Sequence, residues 1–183
     1  MKPRYIPNLL TVFRIALIPP IVWTILHGPT QTAAVLVAVA VLTDGLDGFL
    51  AKNFDWRTRF GEITDPIADK ALFISVFIAL AYAGFIPVWL VWAVLIRDLV
   101  IVSGGLAYHY LIGRFEMSPT VISKLNTLVQ FLFVFTVLIS LSTGFPNSTV
   151  VKYLTYIVLA TTILSGLDYV VTWGKKAVIQ RSQ

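Results

Sequence analysis

Six stretches of about 20 mostly apolar residues follow one another along the chain, each the length a helix needs to cross a bilayer. They run from Leu9 to Leu26, Gln31 to Leu50, Gly61 to Tyr82, Pro87 to Leu111, Pro119 to Leu141 and Thr149 to Trp173. In hydrocarbon every backbone amide must be satisfied internally, so successive runs of this kind must be helices. The breaks between them hold turn-forming residues: His27-Gly28-Pro29, Gly84 with Pro87, Gly113 before Pro119, and Gly144 with Pro146. No linker is long enough to separate domains. The expectation is an all-α membrane protein, a single domain over residues 1–183 with six transmembrane helices. The 57% hydrophobic content and 13% charged content lie outside the range of a soluble globular domain.

The fourteen Lys and Arg are distributed by segment. Apart from Lys70 and Arg97 within helices and Lys152 near an opposite-side loop, they lie at or near the N-terminus, the second and fourth connections and the C-terminal tail. By the positive-inside rule, both termini and the segment from Lys52 to Arg59 face the cytoplasm, or the matrix side in a mitochondrion. Trp23, Trp89 and Trp92 then mark the far interface and Trp173 the near one. A net charge of +5 in this arrangement reads as membrane orientation, and no nucleic-acid partner is expected. Lys2 to Pro7 reads as a short interfacial segment and not a signal peptide, because Arg14 interrupts the apolar run and no A-x-A-like site follows. The chain has no Cys, which rules out disulfides and thiolate metal sites. No internal repeat is evident, which disfavours a transporter built from inverted halves.

Against this apolar background stand two acid pairs, Asp44/Asp47 and Asp65/Asp69. Residues three and four apart share a helix face, so both pairs can project toward one point between two neighbouring helices. Carboxylates at membrane depth are costly unless paired or metal-bound, and they mark function by default. Hard oxygen donors of this kind suit Mg²⁺, Mn²⁺ or Ca²⁺. Lys52, Arg57 and Arg59 lie between the pairs, where a nucleotide phosphate would arrive. Gly48, Ala51 and Gly61 are small enough for close backbone approach or a flat ligand.

Written out, the stretch is Asp44-Gly-Leu-Asp47-Gly48-Phe-Leu-Ala51-Lys52, eight further residues, then Gly61-Glu-Ile-Thr-Asp65-Pro-Ile-Ala-Asp69. It resembles the CDP-alcohol phosphatidyltransferase family, whose pattern is D-x-x-D-G-x-x-A-R-x8-G-x-x-x-D-x-x-x-D. Every spacing matches. The one departure is Lys52 where the family usually has Arg; lysine keeps the charge and loses the bidentate fork. The resemblance implies that Asp44, Asp47, Asp65 and Asp69 hold two divalent cations, Mg²⁺ or Mn²⁺, with Asp69 also the general base on the acceptor hydroxyl. It implies that Gly48, Lys52 and Thr58 hold the CDP group of a CDP-diacylglycerol donor and that Ala51 and Gly61 leave it room. Asn8 and Thr11, in Pro7-Asn8-Leu-Leu-Thr11, match the family's entry to the first helix and belong with the nucleotide pocket.

For the acceptor, Ser123-Lys124-Leu-Asn126-Thr127 looks like the S-K-x-N-T of CMP-forming cardiolipin synthases, whereas phosphatidylglycerophosphate synthases typically show G-K-x-K-T. A glycerol phosphate is dianionic and calls for several cations, while the phosphodiester of phosphatidylglycerol is monoanionic. Arg97, Lys124 and the neutral Asn126 are therefore taken as contacts for phosphatidylglycerol, with glycerol 3-phosphate as the alternative acceptor. Membrane lipids are further partners. Gly104-Gly105 suggests close helix packing at a homodimer contact. Two other readings of the acids remain at this stage: a structural ion-pair network with Lys70, Arg97 and Arg14, and the ion path of a cation-coupled transporter. His27, His109 and Asp168 have no assigned role.

Overall fold

The computed structural model of the chain describes residues 6–54, 59–111 and 120–181. Six helices follow in order: α1 (Ile6–His27), α2 (Thr30–Asn53), α3 (Arg59–Tyr82), α4 (Val88–Leu111), α5 (Val121–Thr143) and α6 (Ser148–Arg181). No strand occurs among the described residues.

The helix ends follow local chemistry. Gly84 adopts a left-handed φ of 77° after α3, and the amide of Phe85 donates to the Leu80 carbonyl across it at 2.9 Å. That pattern closes orphan carbonyls at a helix C-terminus and favours glycine. Gly144, at φ 74°, ends α5 in a related way with a 2.9 Å bond to the Ser140 carbonyl. Thr120 and Asn147 cap α5 and α6, their side-chain oxygens accepting from the amides of Ser123 and Val150 at 3.2 and 3.1 Å.

Two ends differ from the sequence expectation. Ile6 and Pro7 belong to α1 and not to a separate interfacial segment, which Pro7 permits because a proline in the first helical turn forfeits no intrahelical bond. Residues 2–5 of that segment lie outside the described residues. α6 continues past Trp173 to Arg181, since the polar tail keeps helix-favouring Lys, Ala, Gln and Arg and has no proline. Hydropathy had marked where the apolar span stops, which is a different boundary from the helix end.

Five helices, α1, α2, α4, α5 and α6, are long and apolar enough to cross a membrane. In α3 the first turns hold Glu62, Asp65, Asp69 and Lys70, leaving a run free of charged residues only from Ala71 to Tyr82. The outward-facing side chains of these helices are large and apolar. Leu42 and Leu99 are each 66% exposed. Such a surface suits lipid and not water, and the chain is an integral membrane protein.

The chain divides into two compact units, Met1–Ile86 with Val137–Pro146, and Pro87–Thr136 with Asn147–Gln183. In the first, α1 packs against both α2 and α3. Ile21, Ala33, Ala40, Ala68 and Leu80 are fully buried there. The small residues Ala33, Ala40 and Ala68 let the helices approach, as membrane interfaces require where no hydrophobic driving force acts. In the second, α4 packs on α6, and Leu90 and Val158 are fully buried.

Candidate active site

In the first unit, α1 supplies Asn8, Thr11 and Arg14, three residues apart and so on one face. Because α1 touches both α2 and α3, that polar face meets the acid pairs of both. Arg14 Nη1 lies 2.9 Å from Asp44 Oδ1 and 2.5 Å from Asp69 Oδ1, while Nη2 donates to Asp47 Oδ2 at 2.5 Å. Thr11 Oγ1 donates to Asp65 Oδ1 at 2.5 Å. All four aspartates therefore bond the same face of α1. The predicted convergence is present, and the group at its centre is a guanidinium.

The burial is uneven. Arg14 is wholly buried, the Asp47 side chain is 5% exposed, and those of Asp44 and Asp69 are 43% and 40% exposed. Arg14 Nε is buried with no hydrogen-bond partner. A planar guanidinium has a fixed fork of donors, which explains how one side chain reaches acids on two helices, and why lysine would be a poor substitute. Three carboxylates facing one cation leave an excess of negative charge. Carboxylate oxygens are also the donors that a hard divalent cation prefers, so the residues fit such an ion in chemistry. Among the described residues no three potential ligands are arranged to hold a metal, and the Arg14 guanidinium lies among the carboxylates.

The nucleotide-side residues are placed in part. Gly61 is buried in the first turn of α3, and Asn8 is half-buried one turn before Thr11. Gly48, Ala51 and Lys52 fall on the last turns of α2, where only the backbone is described. Thr58 lies outside the described residues.

The second unit holds a different polar cluster. Arg97 on α4 bonds Asp98 at 2.8 Å, Ser123 on α5 at 2.5 Å, and Ser165 on α6 at 2.6 Å from Nη2 and 3.2 Å from Nε. Asn126 is fully buried: its Oδ1 accepts from Thr162 Oγ1 at 3.1 Å, and Thr162 in turn accepts from Gln130 Nε2 at 3.3 Å. The Asn126 amide nitrogen is buried without a partner among the described residues. Lys124 is exposed. Residues two apart on a helix do not face each other, so Lys124 and Asn126 are not brought to one point, whereas Asn126 shares a face with Ser123, the partner of Arg97. Asp98, the next residue in the chain, is the acid beside Arg97.

From the sequence, Arg14 is an interruption of the first apolar run and a member of an alternative ion-pair network, with no place in the candidate site. The missed signal was its place one turn after Thr11, the only basic residue inside the first apolar run. Ser165 and Thr162 on α6 were also unforeseen, since hydroxyl residues are common in membrane helices and have no distinguishing spacing.

Comparison with known proteins places the chain in a family. A family model for CDP-alcohol phosphatidyltransferase matches residues 4–171. The CMP-forming cardiolipin synthase of Rattus norvegicus is 32% identical over 97% of the chain, which spans 64% of the rat protein. A probable phosphatidylglycerophosphate synthase of Mycobacterium tuberculosis is 33% identical over 89% of the chain and 78% of its own length. The CDP-diacylglycerol–glycerol-3-phosphate 3-phosphatidyltransferase of Aquifex aeolicus is 33% identical over 92% of the chain and 91% of its own length. With its sequence matched over nearly the whole length and its four motif aspartates gathered on α1, the chain belongs to the CDP-alcohol phosphatidyltransferase family.

Proposed function

We propose that this protein transfers a phosphatidyl group from CDP-diacylglycerol to phosphatidylglycerol, giving cardiolipin and CMP. The observation that carries the transferase reading is the gathering of Asp44, Asp47, Asp65 and Asp69 from two helices onto one face of α1. The acceptor rests on the neutral Asn126 and on similarity to cardiolipin synthases. Relatives named phosphatidylglycerophosphate synthases are equally similar, so glycerol 3-phosphate is the second reading. Membership of this family weighs against a cation-coupled transporter.

Divalent metals are general in the family, and here Asp44, Asp47, Asp65 and Asp69 hold two such cations, Mg²⁺ or Mn²⁺. When bound, such ions neutralise the phosphoryl oxygens and stabilise the departing CMP. Asp69 takes the proton of the acceptor hydroxyl as its oxygen bonds the lipid-side phosphorus and the pyrophosphate P–O bond breaks. Gly48, Lys52 and Thr58 hold the CDP group, with Ala51 and Gly61 leaving room for it and Asn8 and Thr11 bordering it. Arg97 and Asn126, which lie with Ser123 in the polar cluster of the second unit, are assigned to the acceptor, and Lys124, exposed on another face of α5, is not.

The proposal further takes the whole chain as one catalytic domain. α3 is its sixth span, stabilised at depth by the pairing of its acids, and the segment before α1 meets the interface. The motif and both termini face the cytoplasm. A homodimer is proposed, for which Gly104 offers an open surface: a Cβ there would meet nothing within 4 Å.

The test is product analysis with purified protein in lipid, supplied with CDP-diacylglycerol, Mg²⁺ and either acceptor. Cardiolipin from phosphatidylglycerol, with little phosphatidylglycerophosphate from glycerol 3-phosphate, is the expected result. The reverse preference moves the assignment to the second reading.

A further inference from the structure

Arg14 is the largest fully buried side chain and has no place in the chemistry proposed above. Its contacts are unequal. Nη2 holds Asp47, which is nearly buried, whereas Nη1 is shared by Asp44 and Asp69, both about two-fifths exposed. Nε is buried with no partner. A membrane helix does not bury a guanidinium without cause, because an ionised side chain at depth is expensive. Here the cause is visible: without a cation at this point, three carboxylates from two helices would repel one another in a medium that screens them poorly.

From this geometry we infer that Arg14 is a built-in counter-cation, which keeps the carboxylates gathered before metal arrives and gives up its Nη1 contacts with Asp44 and Asp69 as metal binds. Its Nη2 contact with Asp47 anchors it throughout. Arg14 is thus a positioning residue whose charge competes with divalent cations for the same acids. The inference rests on the proposal that these acids hold metal.

Competition of this kind separates Arg14 from a residue that merely holds helices together. The experiment uses the full chain in nanodiscs and measures two things without turnover: Mn²⁺ affinity by electron paramagnetic resonance, and melting temperature in chelator and in Mn²⁺. Native protein is expected to bind Mn²⁺ and to stay folded in chelator. Arg14→Gln removes the competing charge and is expected to bind Mn²⁺ at least about tenfold tighter. In chelator its melting temperature is expected to fall by on the order of 10 °C, because unpaired buried acids are left behind, and Mn²⁺ should restore most of the loss. Should Arg14→Gln not fold at all, Arg14→Lys carries the test. It keeps the charge without the fork, so its Mn²⁺ affinity should lie above the native value.

Unchanged or weaker Mn²⁺ binding by the variant that folds overturns the inference. So does an equal loss of stability with and without Mn²⁺, the mark of a purely structural arginine. Failure of the native chain to bind Mn²⁺ is a different result: it removes the metal reading of the site and the inference with it.

Discussion

The two units each place an arginine between helices, but they balance it differently. Arg14 in the first unit meets three carboxylates, with a fourth one hydroxyl away on Thr11. Arg97 in the second meets one carboxylate and two serine hydroxyls. One cluster has negative charge to spare and can receive further cations. The other is neutral as a group, and its arginine already has partners. The contrast separates two uses of buried charge in a membrane protein: a site that must bind ions keeps its acids in excess, whereas a cluster proposed to meet an anionic lipid has no such excess.

The largest effect expected from this difference lies in the first unit. If its surplus acids take up metal, chelation should abolish activity, Mg²⁺ or Mn²⁺ should restore it, and Asp65→Asn should leave no measurable turnover, since losing one anionic ligand severely weakens a hard-cation site. Ser165→Ala in the second unit should leave the metal requirement unaltered. Full turnover of Asp65→Asn in chelator would erase the distinction between the units and make both clusters structural.

A second prediction tests whether the second cluster has room for charge. Asn126 is fully buried with Thr162 against it, so Asn126→Lys would place an ammonium beside a hydroxyl in the interior. An uncompensated buried charge costs about 3–5 kcal/mol, and the melting temperature should drop accordingly. Asn126→Leu should change stability by only about 1 kcal/mol: it removes one hydrogen bond but also the unpartnered amide nitrogen. Equal melting temperatures for the two variants would show that an acid reaches this position after all, and the second unit would then resemble the first.

What could be read in advance follows the same division. The helices were legible because hydrocarbon leaves the backbone no alternative, and their ends at Gly84 and Gly144 were legible because a left-handed turn selects glycine. The acid pairs were legible because three- and four-residue spacings survive into any helix. Arg14 was obscured by the very separation that makes it useful: it lies far from the acids in sequence, and no local spacing indicates which helix will supply a cation. Lys124 and Asn126 show the converse limit of sequence nearness. They were grouped by their nearness in sequence, yet a helix turns one to lipid or solvent and the other to the interior. Ser165 and Thr162, reached only through packing on α6, left no trace in the pattern.

The smallest effect discriminates most finely, because it compares one hydroxyl in each unit. Thr11 donates to Asp65, and Ser165 accepts from Arg97. Hydrogen bonds to charged groups contribute about 1.5–3 kcal/mol, and both pairs are only part-buried, so Thr11→Val and Ser165→Ala should each cost about 1–2 kcal/mol in chelator. Their responses to metal should then part. A cation bound by Asp65 satisfies the carboxylate that Thr11→Val leaves short of a donor, so Mg²⁺ should recover much of that loss. No cation can replace an acceptor for Arg97, so the deficit of Ser165→Ala should be the same in Mg²⁺ and in chelator. Melting curves of the two variants under both conditions make the comparison, with native protein as the reference. If Mg²⁺ restores both or neither, the first cluster is no more open to cations than the second, and the excess of acids around Arg14 has another purpose.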